Sequence, residues 1–146
     1  MDDPPLIIAA ENNNLRSVRI LLRSGVDVNE KADDGMTALT FAAMNGNLDI
    51  MEILLEEDGI DVNAANDEGT TPLMFAVSEG HYDAVNFLLD TPNIDVNLRD
   101  NEGNSAYRIH QSTIAFIITY IYVDVWCIKQ KINCIVMSFG HSKHQR

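Results

Sequence analysis

Cysteine is nearly absent from this chain of 146 residues: there are two, Cys127 and Cys134, both close to its end. Two thiols cannot build a disulfide framework. Basic residues are also scarce, 10 against 22 acids, for a net charge of −12. That balance disfavours a nucleic-acid backbone or an anionic membrane surface as partner, and favours a basic partner or simply solubility. Long hydrophobic runs are missing too. The longest, 114–123, is interrupted by Thr119 and ended by Asp124, whereas a bilayer span needs about 20 apolar residues. The opening Met1-Asp2-Asp3-Pro4-Pro5 has neither the basic nor the apolar region of a signal peptide. A soluble intracellular protein, cytoplasmic or nuclear, is therefore expected.

Catalytic signatures are wanting as well. No G-x-x-x-x-G-K-[ST], H-E-x-x-H or G-x-S-x-G occurs. His81 is the only histidine before residue 107. The acid pairs Asp33-Asp34 and Asp67-Glu68 fall on loop tips, and general acid–base work needs a pocket to perturb them. Asp27, Asp33 and Asp34 lack the ligand spacing of a calcium loop. Cys127, Cys134, His141 and His144 read C-x6-C-x6-H-x2-H, which matches neither usual half of a zinc site. The expectation is a protein without catalysis, metal or cofactor.

What the chain does have is a repeat. Asp27-Val28-Asn29, Asp61-Val62-Asn63 and Asp95-Val96-Asn97 recur at a spacing of 34. Upstream of each stand Ile20-Leu21-Leu22, Ile53-Leu54-Leu55 and Phe87-Leu88-Leu89, and before those Leu6-Ile7-Ile8-Ala9-Ala10, Leu39-Thr40-Phe41-Ala42-Ala43 and Leu73-Met74-Phe75-Ala76-Val77. A fixed period of this length marks a stacked architecture. Each unit reads as two short helices; in the second unit they run about 38–44 and 48–56. Leu39, Ala42 and Ala43 share one helical face. Asn13, Gly46 and Gly80 sit where the turn between the helices needs φ > 0, which Gly and then Asn adopt most readily. Thr37 and Thr71 read as N-caps, Pro72 as a first helical residue, and Asp3 as the cap of a helix opened by Pro4. The polar stretches 29–35, 63–69 and 97–103 each end in Gly and suit hairpin-like projecting loops. Helices this short are far below the roughly 12–15 residues needed to stand alone. Stacking is expected to bury Leu21, Leu22, Leu54, Leu55, Leu88 and Leu89 in one core.

Here the sequence resembles the ankyrin repeat family. Gly69-Thr70-Thr71-Pro72-Leu73-Met74-Phe75-Ala76 is similar to its G-x-T-P-L-H-x-A, with Met74 replacing the usual His and its hydrogen bonds. Gly80-His81 matches its G-H, and Leu88-Leu89 with Ile94-Asp95-Val96-Asn97 its L-L … A-D-V-N, with one extra loop residue. The resemblance covers about residues 4–106 and implies an all-α repeat solenoid: a stack of helix pairs, units about 4–34, 35–68 and 69–102, a fourth starting at 103. It implies binding of another protein through the loop tips and first helices. The residues so placed are Asp33, Asp34, Met36, Met44 and Asn45; Asp67, Glu68, Thr70, Ser78 and Glu79; and Asn101, Glu102 and Asn104. Six of these are acidic and none basic, which points to a basic segment as ligand, with methionine supplying adaptable apolar contact. A monomer is expected. Two other readings stand beside this one: a fragment of a larger ankyrin scaffold, and a substrate of an asparaginyl hydroxylase. For the second, the family resemblance makes Asn29, Asn63 and Asn97 the target positions, each with Leu eight residues before it (Leu21, Leu55, Leu89); the same Asn usually bonds loop backbone.

The pattern fails after Ala106. Residues 1–106 carry a net charge of −16 and 107–146 one of +4. In register, Ala76 maps to His110 and Gly80 to Ile114, so a large His enters a tight slot and a β-branched residue takes a turn it strongly disfavours. Three readings stay open for 107–146: a diverged cap, a shifted reading frame or translated intron, and a lipid-contacting tail. In each, the β-prone uncharged run 114–123 should aggregate unless packed, and residues 1–106 alone should be more soluble than the full chain.

Overall fold

The structure is a computed structural model, and it describes residues 3–113. Seven α-helices follow one another among the described residues: α1 (Pro5–Glu11), α2 (Leu15–Arg23), α3 (Ala38–Met44), α4 (Leu48–Leu55), α5 (Pro72–Ser78), α6 (Tyr82–Leu89) and α7 (Ala106–Thr113). Within the first compact unit of the chain, Met1–Ile109, α1 packs on α2, α3 on α4 and α5 on α6. Neighbouring pairs stack with first helices in one row (α1, α3, α5) and second helices in another (α2, α4, α6). This is the all-α repeat stack that the period of 34 implies.

The turns behave as their residues dictate. Asn13, Gly46 and Gly80 have φ of 53°, 67° and 74°. At Gly46 space is also short: an added Cβ would lie 2.7 Å from the His81 ring, so the next unit's histidine packs on this turn. The Thr37 hydroxyl accepts from Thr40 N–H at 3.3 Å, and the Thr37 N–H donates to the Thr40 hydroxyl at 3.4 Å, closing a reciprocal cap. Thr71 does the same with Met74, whose sulfur accepts the Thr71 N–H at 3.5 Å. A weak sulfur bond thus stands where the sequence implied none. Asp3 does not cap α1: the helix starts one residue later than expected, with Pro4 at the N-cap, Pro5 inside and no side-chain cap.

The core is narrower than the leucine pairs implied. Leu54 and Leu88 are fully buried and Leu22 nearly so, but Leu21, Leu55 and Leu89 are only partly covered. Leu55 and Leu89 lie one residue, about 100° of helix, past the leucine that faces the core. Leu21 occupies the position of Leu54 and Leu88, yet no unit covers it from the N-terminal side. The alanines Ala9, Ala42 and Ala76 are buried, as close helix approach requires. Ala106, the first residue of α7, is buried, and His110 is only 6% exposed, its Nε2 without a hydrogen-bond partner among the described residues. Ile114 and the rest of the tail, including its β-prone run and its Cys/His coincidence, lie outside the described residues. Among the described residues no helix is long and apolar enough to cross a membrane.

Candidate binding face

The loops between units are small fingers, each closed at its base by a backbone bond and tightened by a second from its glycine N–H (Gly35 to Ala32 O, Gly69 to Asn66 O, Gly103 to Asp100 O). Ala32 N–H donates to Met36 O at 2.8 Å, Asn66 to Thr70 O at 3.1 Å and Asp100 to Asn104 O at 2.9 Å. Each turns on a glycine of positive φ: Gly35, Gly69 and Gly103 at 80°, 79° and 82°. In the second and third fingers the residue at the base supplies a side-chain acceptor: Asn66 Oδ1 takes Glu68 and Thr70 N–H, and Asp100 Oδ1 takes Glu102 and Asn104 N–H. The first finger has Ala32 there, and Asp34 Oδ1 instead accepts the Met36 N–H at 3.0 Å.

Adjacent fingers are tied together. Asp67 N–H donates to Asp34 O at 3.0 Å and Asn101 N–H to Glu68 O at 2.9 Å. Lys31 Nζ reaches Ala65 O at 2.9 Å, and Asn101 Nδ2 reaches Asp67 O at 3.0 Å. On the other side of each unit the repeated Asn is a second tie. Asn29 Nδ2 donates to Gly59 O and its Oδ1 accepts from Asp61 N–H, both at 2.8 Å; Asn63 does the same with Asn93 O and Asp95 N–H. Asp27, Asp61 and Asp95 each accept the N–H of the Asn two residues on. The recurrence of Asp-Val-Asn therefore has a structural cause: Asp shapes the turn, Val28 and Val62 are buried, and Asn bridges to the next unit.

The structure sorts the thirteen expected contact residues. Asp33, Asp34, Asn45, Asp67, Glu68, Ser78, Glu79, Asn101 and Glu102 are exposed, while Met44, Thr70 and Asn104 are half-buried. Met36 is corrected: at 6% exposure it belongs to the base of its finger and offers nothing to a ligand. Its neighbour Thr37 turns into α3, so the chain enters the core one residue earlier than the finger pattern implied. Four others carry internal duties: Asp34 and Asn101 hold the fingers as described, Asn45 Nδ2 donates to Glu11 O at 3.5 Å, and Asn104 Nδ2 donates to Asp100 at 3.3 Å and Glu102 at 3.2 Å.

Two features were not legible beforehand. Ile8, Phe41 and Phe75 sit two residues past the buried Leu6, Leu39 and Leu73 and are less covered than those, although Phe41 still packs against the core. Ile8 is 42% exposed and both phenylalanines are half-buried. The signal was present, since two residues is about 200° of helix. The second feature is basic. Lys31 and Arg99 stand at finger bases, Arg99 Nη1 on Gly103 O at 2.9 Å. They offset part of the acidic charge, although the tips themselves carry only acids and Asn.

Comparison with known proteins agrees with this architecture. The family model for ankyrin repeats in three copies matches residues 6–100. Human "Mitochondrial disaggregase" is 45% identical over 53 residues, covering 36% of this chain and 8% of that protein's length. The chain thus spans only a small part of that relative's length. With the period, the stacked helix pairs, the joined fingers and the match over most of the described chain, the protein belongs to the ankyrin repeat family.

Proposed function

We propose that this protein is a non-catalytic interaction module whose finger tips and first helices bind a basic, partly apolar segment of another protein. Ankyrin repeats are generally protein–protein interaction modules; the finer reading concerns the ligand. The observation that carries it is the run of exposed acids across three joined fingers, Asp33, Asp67, Glu68 and Glu102, with Glu79 on the helix behind. On the first helices Phe41, Phe75 and Met44 are half-buried, and their uncovered parts would meet the ligand's apolar groups. Acidic complementarity of this kind raises the association rate and selects against acidic competitors more than it adds affinity. The backbone ties between fingers hold the acids in place before the ligand arrives, which reduces the ordering cost of binding.

The test is affinity capture from cell extract with the full chain and with Asp33→Lys, Asp67→Lys, Glu68→Lys and Glu102→Lys combined. Asp34 is kept, because it closes its own finger. A basic partner held at low salt, released at high salt and absent from the reversed variant is the expected result. A partner indifferent to both salt and charge reversal would refute the electrostatic reading.

The hydroxylase-substrate reading gains one specific observation. Asn29 and Asn63 have both ends of their amides bonded to the next unit, whereas Asn97 is exposed and its amide has no such tie among the described residues. Modification, if it occurs, belongs at Asn97 first. Mass spectrometry of the cellular protein should find the added oxygen there before Asn29 or Asn63; addition at Asn63 alone would contradict this order.

A further inference from the structure

The N-terminal end of the stack presents an open face. A groove of about 410 Å³ runs between α1 and α2, lined among others by Pro5, Ile8, Ser17, Ile20 and Leu21. Ile8 and Ile20 are 42% and 56% exposed. The same register positions deeper in the stack show what this face is. Pro5 is exposed, while its counterparts Ala38 and Pro72 are buried. Ser17 is half-buried, while Ile50 and Ala84 are 0% and 1% exposed. Leu21 is half-buried, while Leu54 and Leu88 are at 0%. In the second and third units these positions are covered by the helix pair before them. The first helix pair is thus shaped as an interior unit and not as a polar end cap.

Charge selects the occupant. Helix α2 carries Arg16, Arg19 and Arg23, all exposed, with no acid among them. Arg16 and Arg23 lie four residues before and three after Ile20, on the same helix face. The matching positions are Asp49, Glu52 and Glu56 in the second unit and Asp83, Asn86 and Asp90 in the third. A second copy docking by this same face would set arginines against arginines. The chain's own residues 107–146 carry a net charge of +4 and are repelled in the same way. We propose that this face docks an acidic amphipathic helix pair, its apolar side in the groove and its carboxylates on Arg16 and Arg23. The proposal is independent of the ligand assigned to the fingers, since no finger residue lines the groove.

The second unit is the natural probe, since it is acidic and already covers the corresponding face of the third. Residues 35–71 are joined ahead of Pro5 in the full chain, so that Thr71 precedes Pro5 as it precedes Pro72. Docking predicts a higher unfolding midpoint than the parent's. It also predicts that Leu21→Ala lowers the midpoint more in the extended chain than in the parent, and that Arg16→Glu with Arg23→Glu does likewise. An unchanged midpoint, with Leu21→Ala equally mild in both chains, overturns the proposal. So does a parent dimer in sedimentation that Ile20→Asp dissolves, which would make a second copy the occupant. A photoreactive residue at position 20 of the parent that links to residues 114–146 overturns it in favour of the tail.

Discussion

At the scale of single residues, the repeated asparagine separates structure from opportunity. Asn63 bridges two units through both ends of its amide, and each such bond contributes about 0.5–1.5 kcal/mol net. Asn63→Ala should therefore cost about 1–3 kcal/mol in urea unfolding. Asn97→Ala, with no bridge among the described residues, should stay within about 0.5 kcal/mol. Equal losses at the two positions would show that the bridges contribute nothing to stability. Glycine offers a second pair. Gly25 and Gly35 have φ of 84° and 80°, so both lose the same backbone freedom on becoming Ala. An added Cβ meets nothing within 4 Å at Gly25 but lies 2.6 Å from an Asp67 oxygen and 2.9 Å from its backbone nitrogen at Gly35. Gly35→Ala should be the more damaging, and should loosen the first two fingers where backbone amide exchange can detect it.

At the scale of elements, helices of seven to nine residues persist only because their ends and one face are satisfied. The capping threonines of α3 and α5 are themselves buried, Thr37 at 2% and Thr71 at 4% exposed. Thr37→Ala removes the acceptor for the Thr40 N–H and the partner of the Thr40 hydroxyl, 3.0 Å away. Loss of such a cap costs about 0.5–2 kcal/mol, and a buried unpaired hydroxyl adds to it. The expected result is a loss in the upper half of that range by thermal unfolding; a loss under about 0.5 kcal/mol would mean that water replaces the hydroxyl without penalty. These caps were readable, because a threonine before an apolar block has one physical use there. The cap of α1 was not: two consecutive prolines admit either as the first helical residue, and in the structure it is Pro5, with Pro4 at the N-cap.

At the scale of the whole molecule, stability is a sum over units and the junctions between them. Leu54 is fully buried in the middle unit, so Leu54→Ala should cost about 2–5 kcal/mol. Leu21 has the same register and half the cover, so Leu21→Ala should cost clearly less in the same denaturation experiment. If the two losses were equal, the end unit would be as well covered as the middle one. The contact face is also a property of the whole. Three fingers tied backbone to backbone bring the exposed Asp33, Asp34, Asp67, Glu68 and Glu102 together.

The period, the two-helix unit, the φ > 0 turns, the capping threonines and the acidic fingers were all contained in the sequence, because each rests on local spacing and residue chemistry. Three matters needed the assembled stack. Met36 looked like a finger residue, and only the turn into α3 buried it. Phe41 and Phe75 stand inside apolar blocks, and only the packed helices show them half-buried where Leu39 and Leu73 are covered. Leu21 looked identical to Leu54, yet among the described residues no helix pair covers it as the first pair covers Leu54. Local pattern specifies which residues are apolar and how they are spaced. Which of them meet a neighbour is a property of the packed stack, because burial depends on what stands opposite.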